Sequence, residues 1–326
     1  MINTRPISFL EHAKKLYTKL LTNWLNNIFT KYEILSFYNY IALPGNSTAI
    51  PIHILNNIIE DASCNSKKLW LISQDMSKAY DSVNLDLFKK ALCRISMPPK
   101  LVDILTNLLT NRQNRVITNL GLTNPYTVKN GIDQGKTITP FFWCIYYDPL
   151  IHKIALQHKG YTLSTTWKTH LSPPKTKSLQ ISTSVLAYMD DTLWIAQTKS
   201  ELEQITQTAT SFYLMANIQI NPLKSIFISN SAPSTTQFFN SMLESIPASQ
   251  PFKFLGCWFT LNNKHTQQIK IIREETLQLT NIANTKKITD KQITYVINTV
   301  IIPTLEYRLH NIILPQSTCN NILANT

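Results

Sequence analysis

Apolar and polar positions recur along this chain with two different periods, and the changeovers between them mark its elements. From residue 7 to 30 apolar residues return every three to four positions (Leu10, Leu16, Leu20, Leu21, Leu25, Ile28), which predicts a helix burying that face. In "LPGNSTAIPIHILNNIIEDA", Gly45 and Asn46 mark a turn and Ser47 or Thr48 can cap. Ile52, Leu55, Ile58 and Ile59 give a second helix its apolar side. "KLWLISQD" is a short apolar run ending on Asp75 and predicts a buried strand. "LDLFKKALCRI" predicts a helix with Leu85, Phe88, Leu92 and Ile95 on one side. In "SVLAYMDDTLWIA" both flanks of Asp190 and Asp191 are strand-like, which puts the pair at the tip of a hairpin. "KSELEQITQTATSFYLMA" predicts a helix with Ser200 and Glu203 as a capping box and Leu202, Ile205, Ala209 and Phe212 inward. "NIQINPLKSIFIS" turns at Asn221 and Pro222, and "FKFLGCWFT" predicts a short strand pair. Beyond about residue 262 the pattern is helical and free of glycine. Strands mixed with helices at these spacings imply an α+β layer, not a regular parallel α/β fold.

One stretch breaks the pattern. Residues 149–189 hold five lysines and no acid, with Ser, Thr and Pro clustered in "STTWKTHLSPPKTKS", and predict a basic polar insertion or long loop. The whole chain of 326 residues carries a formal charge of +12. That balance favours a polyanionic partner, and nucleic acid over a membrane surface because no basic amphipathic helix stands out. Five cysteines without close pairing fit a reducing compartment and argue against a disulfide framework or a zinc site. The N-terminal stretch lacks the apolar region of a signal peptide, and no apolar run approaches a membrane span. A soluble intracellular protein with no membrane contact is expected.

Two adjacent anions in an apolar run repel each other and resist burial, so Asp190 and Asp191 need water or a cation. A solvent-exposed turn supplies the first, a bound metal the second. Asp75 also ends an apolar strand. If the two strands are neighbours, three carboxylates converge and offer the oxygen ligands that hard cations such as Mg²⁺ require. Of only six glycines, Gly131 and Gly135 both fall in "NGIDQGKTITP", where backbone bends or approaches a ligand closely. An ordinary loop preceding a helix reads the same way.

Taken in order, these stretches resemble the reverse transcriptases, most nearly those of non-LTR (LINE-type) retrotransposons. "QDMSKAYDSV" resembles the first palm motif, "GIDQGKTITP" the second, "AYMDD" the aspartate pair and "INPLKS" the lysine-bearing motif. "FKFLG" is similar to the hairpin that grips the primer, and "NTRPISFLE" to the finger motif whose Arg meets the nucleotide. The resemblance implies a right-hand polymerase fold: a palm with an antiparallel sheet packed on helices, partial fingers and a helical thumb. Residues 1–262 would form fingers and palm, and 263–326 a helical thumb or connection segment.

The activity so implied is RNA-directed DNA synthesis, with two Mg²⁺ ions (Mn²⁺ as substitute), template RNA, a DNA primer and deoxynucleoside triphosphates. In a eukaryotic retroelement the location would be nuclear. Carried onto this chain, Asp75, Asp190 and Asp191 would be the metal carboxylates, with the Met76 carbonyl as an extra ligand. Lys224 would protonate departing pyrophosphate, and Tyr80 would exclude a ribose 2′-hydroxyl. Gln134, Gly135 and Arg5 would line the nucleotide site, while Asp81 is expected to cap the following helix. Thr139 stands where the family usually has Ser, and "IALPGNSTA" lacks the usual Arg. The chain opens almost on Arg5, so the upstream finger residues are expected to be missing and extension by this chain alone to be weak. Three rival readings are an RNA-dependent RNA polymerase, an intron maturase, and an inactive remnant that binds nucleic acid. Tyr80 argues against the first, the lack of a recognisable maturase segment against the second, and the intact aspartates against the third.

Overall fold

The computed structural model describes residues 11–40, 47–168 and 176–323. Two helices, α1 (His12–Lys31) and α2 (Ala49–Cys64), precede β1 (Trp70–Gln74) and the short β2 (Met76–Ser77). After α3 (Leu85–Arg94) and α4 (Pro99–Asn107), β3 (Arg112–Asn114), β4 (Ile117–Thr118), β5 (Gly121–Leu122) and β6 (Tyr126–Val128) form nested antiparallel pairs, β3 with β6 and β4 with β5. The long helix α5 (Thr139–Gln157) leads to β7 (Tyr161–Lys168), β8 (Thr176–Thr183), β9 (Val185–Tyr188) and β10 (Asp191–Ala196). Then come α6 (Lys199–Ala216), β11 (Gln219–Ile220), β12 (Ile226–Ser229), β13 (Thr235–Phe238), β14 (Ser241–Ile246), β15 (Phe252–Phe254) and β16 (Cys257–Phe259). The C-terminal part is helical: α7 (Thr266–Thr285), α8 (Asp290–Val296), a π turn at Ile297–Ile301, α9 (Ile302–Arg308) and α10 (Gln316–Leu323).

Six strands form the central sheet in the order β13-β14-β12-β1-β10-β9, antiparallel except between β12 and β14. Side chains on a strand alternate faces, and here both faces are covered. Trp70, Ile72, Trp194 and Phe227 point into one core with α3, α5 and α6. Leu71, Leu193, Ile195 and Ile228 point into the other, against Ile52, Leu55, Ile58 and Ile59 of α2 and Phe252 and Phe259 of the β15–β16 hairpin. That is why "LWLI" and "TLWIA" are continuous apolar runs.

Four expectations need correction. Helix α1 buries Thr18, Thr22, Leu25 and Phe29, while Leu16 and Leu20 are each 61% exposed. The hydroxyls of Thr18 and Thr22 donate to the carbonyls of Lys14 (2.9 Å) and Thr18 (2.7 Å), so these polar residues are buried without orphaned donors. The ring of Phe29, edge-on to Phe141 at 4.7 Å, then selects the face. Leu10 lies outside the described residues. Helix α6 is capped by Thr198, whose hydroxyl accepts from the Glu201 N–H, and not by Ser200 with Glu203. Thr48 precedes α2 without a side-chain cap. The described part of 149–189 is not a loop: it completes α5, and residues 161–168 then pair with 176–183 as the β7–β8 ribbon, because Tyr161, Leu163 and Trp167 alternate with hydroxyl residues at the period of a strand.

Candidate active site

Asp75 follows β1 directly and Asp191 opens β10. These strands are antiparallel neighbours paired as far as Gln74 with Thr192, so Asp75 and Asp191 stand at the next rung. Asp190 sits in the two-residue turn joining β9 to β10, after Met189 with φ of +59°. The sheet thus delivers all three aspartates to one end. Among the described residues, however, no group of three His, Cys, Asp or Glu side chains is gathered closely enough to hold a metal ion. The donor set itself is all hard carboxylate oxygen, which suits Mg²⁺ or Mn²⁺ and not a thiophilic ion.

The turn at Asn221 and Pro222 is tied to the same point. The Asn221 N–H donates to the Asp75 carbonyl (2.9 Å), and the Asp75 N–H to the Ser225 hydroxyl (3.3 Å). Lys224 Nζ is thereby placed 4.0 Å from Asp75 Oδ2. Met76 is buried, and its backbone pairs with Ile220. Tyr80 lies across the site: its hydroxyl donates to Met189 Sδ (3.2 Å), and its ring stands edge-on to Trp143, whose Nε1–H donates to the Met189 carbonyl (2.8 Å). Tyr80 and the aspartate turn are therefore mechanically joined.

The loop bearing Gln134 and Gly135 is stitched to the same segment. Gly131 and Ile132 donate to the Val83 and Tyr80 carbonyls, both at 2.8 Å. Gly131 has φ of +80°, and a Cβ there would stand 3.0 Å from the backbone of Tyr80 and Asp81, so a glycine is required. Gln134 is half-buried and Gly135, with φ of +98°, is exposed. Beneath them Asp133 is buried between Arg112 (2.7 Å) and Lys136. Burial works to raise the Asp133 carboxyl, but the hydrogen bonds and charges of Lys136 and Arg112 outweigh it and hold the group below the usual carboxylate range. The Thr139 hydroxyl closes the loop onto the Asp133 carbonyl at 2.6 Å, the bond a Ser there could also make. Asp81 does not cap α3. Asn84 does, accepting from the Asp86 and Leu87 N–H groups. Arg5 lies outside the described residues.

A buried polar network behind the aspartates was not legible in the sequence. Gln74 Oε1 accepts from Trp194 Nε1 and Tyr213 Oη, both at 2.8 Å, and its Nε2 donates to Tyr147 Oη at 3.1 Å. The Tyr147 hydroxyl also meets Tyr213 (2.8 Å) and Thr192 (3.2 Å). Burial pushes Tyr147 up to about 12 and Tyr213 well above its usual value, so both remain neutral donors. The network clamps Gln74 and Thr192, the last rung before Asp75 and Asp191. The signal available in sequence was a lone amide in an apolar strand, which must find partners when buried.

The reverse transcriptase (RNA-dependent DNA polymerase) family matches residues 1–259. The chain belongs to that family. It is similar to the probable RNA-directed DNA polymerase from transposon BS of Drosophila melanogaster, 27% identical over 142 residues that make up 44% of this chain and 16% of that protein. It is also similar to the retrovirus-related Pol polyprotein of the type-1 retrotransposable element R2 of Popillia japonica, 23% identical over 270 residues, 80% of this chain and 35% of that one. The chain thus spans only 16% and 35% of these two relatives. Among solved structures, the apo telomerase of Candida tropicalis truncated from its C-terminal domain superposes with a TM-score of 0.51. It is 16% identical and covers 76% of this chain and 44% of that one. The likeness shows a right-hand polymerase fold, in which the six-stranded sheet carries α5 and α6 on one face. No described helix is long and apolar enough to cross a membrane.

Proposed function

We propose that this chain supplies the palm of a retrotransposon polymerase that copies template RNA into DNA from a DNA primer, using deoxynucleoside triphosphates. The observation that carries the reading is the delivery of Asp75, Asp190 and Asp191 to one end of neighbouring antiparallel strands, with Lys224 held 4.0 Å from Asp75. Those carboxylates, with the Met76 carbonyl beside them, would hold two divalent cations, Mg²⁺ or Mn²⁺. When bound, such ions lower the barrier by activating the primer 3′-hydroxyl and stabilising the leaving oxygen. Lys224 is an exposed ammonium next to Asp75 and can hand a proton to departing pyrophosphate. Tyr80 excludes a 2′-hydroxyl by bulk, and its bond to Met189 keeps the ring from swinging aside. Gln134 and Gly135 line the nucleotide side, and Arg5 is assigned to the triphosphate from its motif alone.

Residues 1–262 serve as fingers and palm and 263–326 as a helical thumb or connection segment, whose α7 packs onto β16 and α9. A nuclear location follows for a eukaryotic element of this kind. The test is extension of a labelled DNA primer by the purified chain on RNA and DNA templates of one sequence. Mg²⁺-dependent extension on RNA, abolished by chelation, is expected; extension on DNA alone would overturn the assignment of an RNA template.

A further inference from the structure

The β7–β8 ribbon is an element that the proposed chemistry leaves without a task. Its eight rungs run from Tyr161 opposite Thr183 to Lys168 opposite Thr176. Only the root is packed. Tyr161 is buried beside α2 and donates to Asp61 Oδ2 (2.5 Å), which Lys67 also holds at 2.8 Å. Gly160, with φ of +68°, lies against the Thr183 backbone so closely that a Cβ would overlap the Thr183 carbonyl, and its N–H donates to Glu201 Oε1 (2.9 Å). Both nearby acids are thus occupied at the root. Beyond it the ribbon is exposed, although two-stranded ribbons are marginal in water unless something covers them.

The two faces differ in chemistry. One carries Thr162, Ser164, Thr166 and Lys168 opposite Ser182, Gln180, Ser178 and Thr176, which gives hydroxyl, amide and ammonium donors along its whole length. On the other, Trp167 stands directly opposite Lys177 and is 45% exposed, followed by Thr165 opposite Leu179. No acid occurs between residues 149 and 189. A protein partner would leave these lysines to be matched one by one. A phosphodiester backbone matches Lys, Thr and Ser donors at any register, and an aromatic ring paired with a cation suits a base beside its phosphate.

We propose that the β7–β8 ribbon is a nucleic-acid arm that grips the sugar–phosphate backbone of the template–primer duplex with both faces, through Lys168 and the hydroxyl residues on one and through Lys177 beside Trp167 on the other. The proposal rests on the reading of the chain as a template-directed polymerase. The arm contributes affinity and takes no part in the transfer step.

The experiment measures binding of a fluorescent RNA-template/DNA-primer duplex to the intact chain across a salt series, for wild type, K168Q/K177Q and K168R/K177R. With two phosphate contacts removed, the glutamine pair weakens binding by roughly tenfold or more at 0.1 M salt and lowers the log–log salt slope by about two. The arginine pair keeps wild-type affinity and slope. Unchanged affinity in the glutamine pair, with wild type binding normally, overturns the arm while leaving the polymerase reading intact. Equal loss in both pairs overturns it in favour of a packing role. A change in sedimentation with unchanged duplex affinity would assign the ribbon to a second copy of the chain. Failure of the wild type to bind duplex would overturn both readings together.

Discussion

A buried amide must fill its hydrogen-bonding positions or lose the water it gave up, and Gln74, only 3% exposed, fills three of them with Tyr147, Trp194 and Tyr213. Gln74→Leu would leave an indole and a phenol as unsatisfied buried donors. It should lower stability to urea by about 2–3 kcal/mol, and extension should fall further than the folded fraction does because the end of β1 is no longer fixed. Tyr213→Phe, which deletes one hydroxyl, should cost only about 1 kcal/mol. Equal, negligible effects of the two changes would show that the network bears no load. Tyr80→Ala should raise the ratio of ribonucleotide to deoxyribonucleotide incorporation, because a gate that works by bulk is relaxed by removing bulk. An unchanged ratio in a folded variant would leave Tyr80 as a packing residue against Trp143.

At the scale of elements, the loop from Gly131 to Thr139 hangs on one buried carboxylate. The folded-state value of Asp133 is depressed by Lys136 and Arg112, so the stability it contributes is present above the ordinary Asp value of about 3.9 and lost as pH falls through the lower folded value. A urea midpoint followed from pH 6 to pH 2 should therefore drop in the acid range. Asp133→Asn should flatten part of that drop and destabilise the protein at pH 7 by about 3 kcal/mol or more, since two cations lose their counter-charge. A wild-type acid limb kept intact in the variant would assign the drop to other carboxylates.

Element-level patterns were the most legible part of the sequence. The strand ending at Asp75 and the hairpin bearing Asp190 stood out because charge interrupts an apolar run. The face of α1 misled because a threonine that bonds back to its own helix is polar in sequence and silent in packing. Gln74 could be placed on a strand, but Tyr147 and Tyr213 lie 73 and 139 positions away, and no local period reports such partners.

Across the whole molecule, the C-terminal helices lock onto the β15–β16 hairpin. Gln268 accepts from the Trp258 N–H (2.9 Å) and donates to the Arg308 carbonyl (2.5 Å). Arg308 makes a two-point bridge to Glu275 at 2.6 and 2.9 Å, and the Tyr307 hydroxyl donates to the Leu255 carbonyl (2.6 Å). Gln268→Ala should loosen β15–β16 and weaken primer–template affinity several-fold with little effect on the transfer step at saturating duplex. Reduced turnover at saturation with affinity intact would contradict that division of labour.

The central claim is that the aspartates at the end of β1 and β10 do chemistry while other surfaces hold the nucleic acid. Asp190→Asn tests it most directly when extension and duplex affinity are measured on the same preparation. Metal contacts matter mainly in the transition state, and a basic surface supplies binding. Extension should fall to background while affinity stays within about twofold of wild type, as expected for an isosteric change of one half-buried charge. Parallel loss of binding and extension, or extension that survives, would contradict the account and return the aspartate pair to the role of a solvated turn.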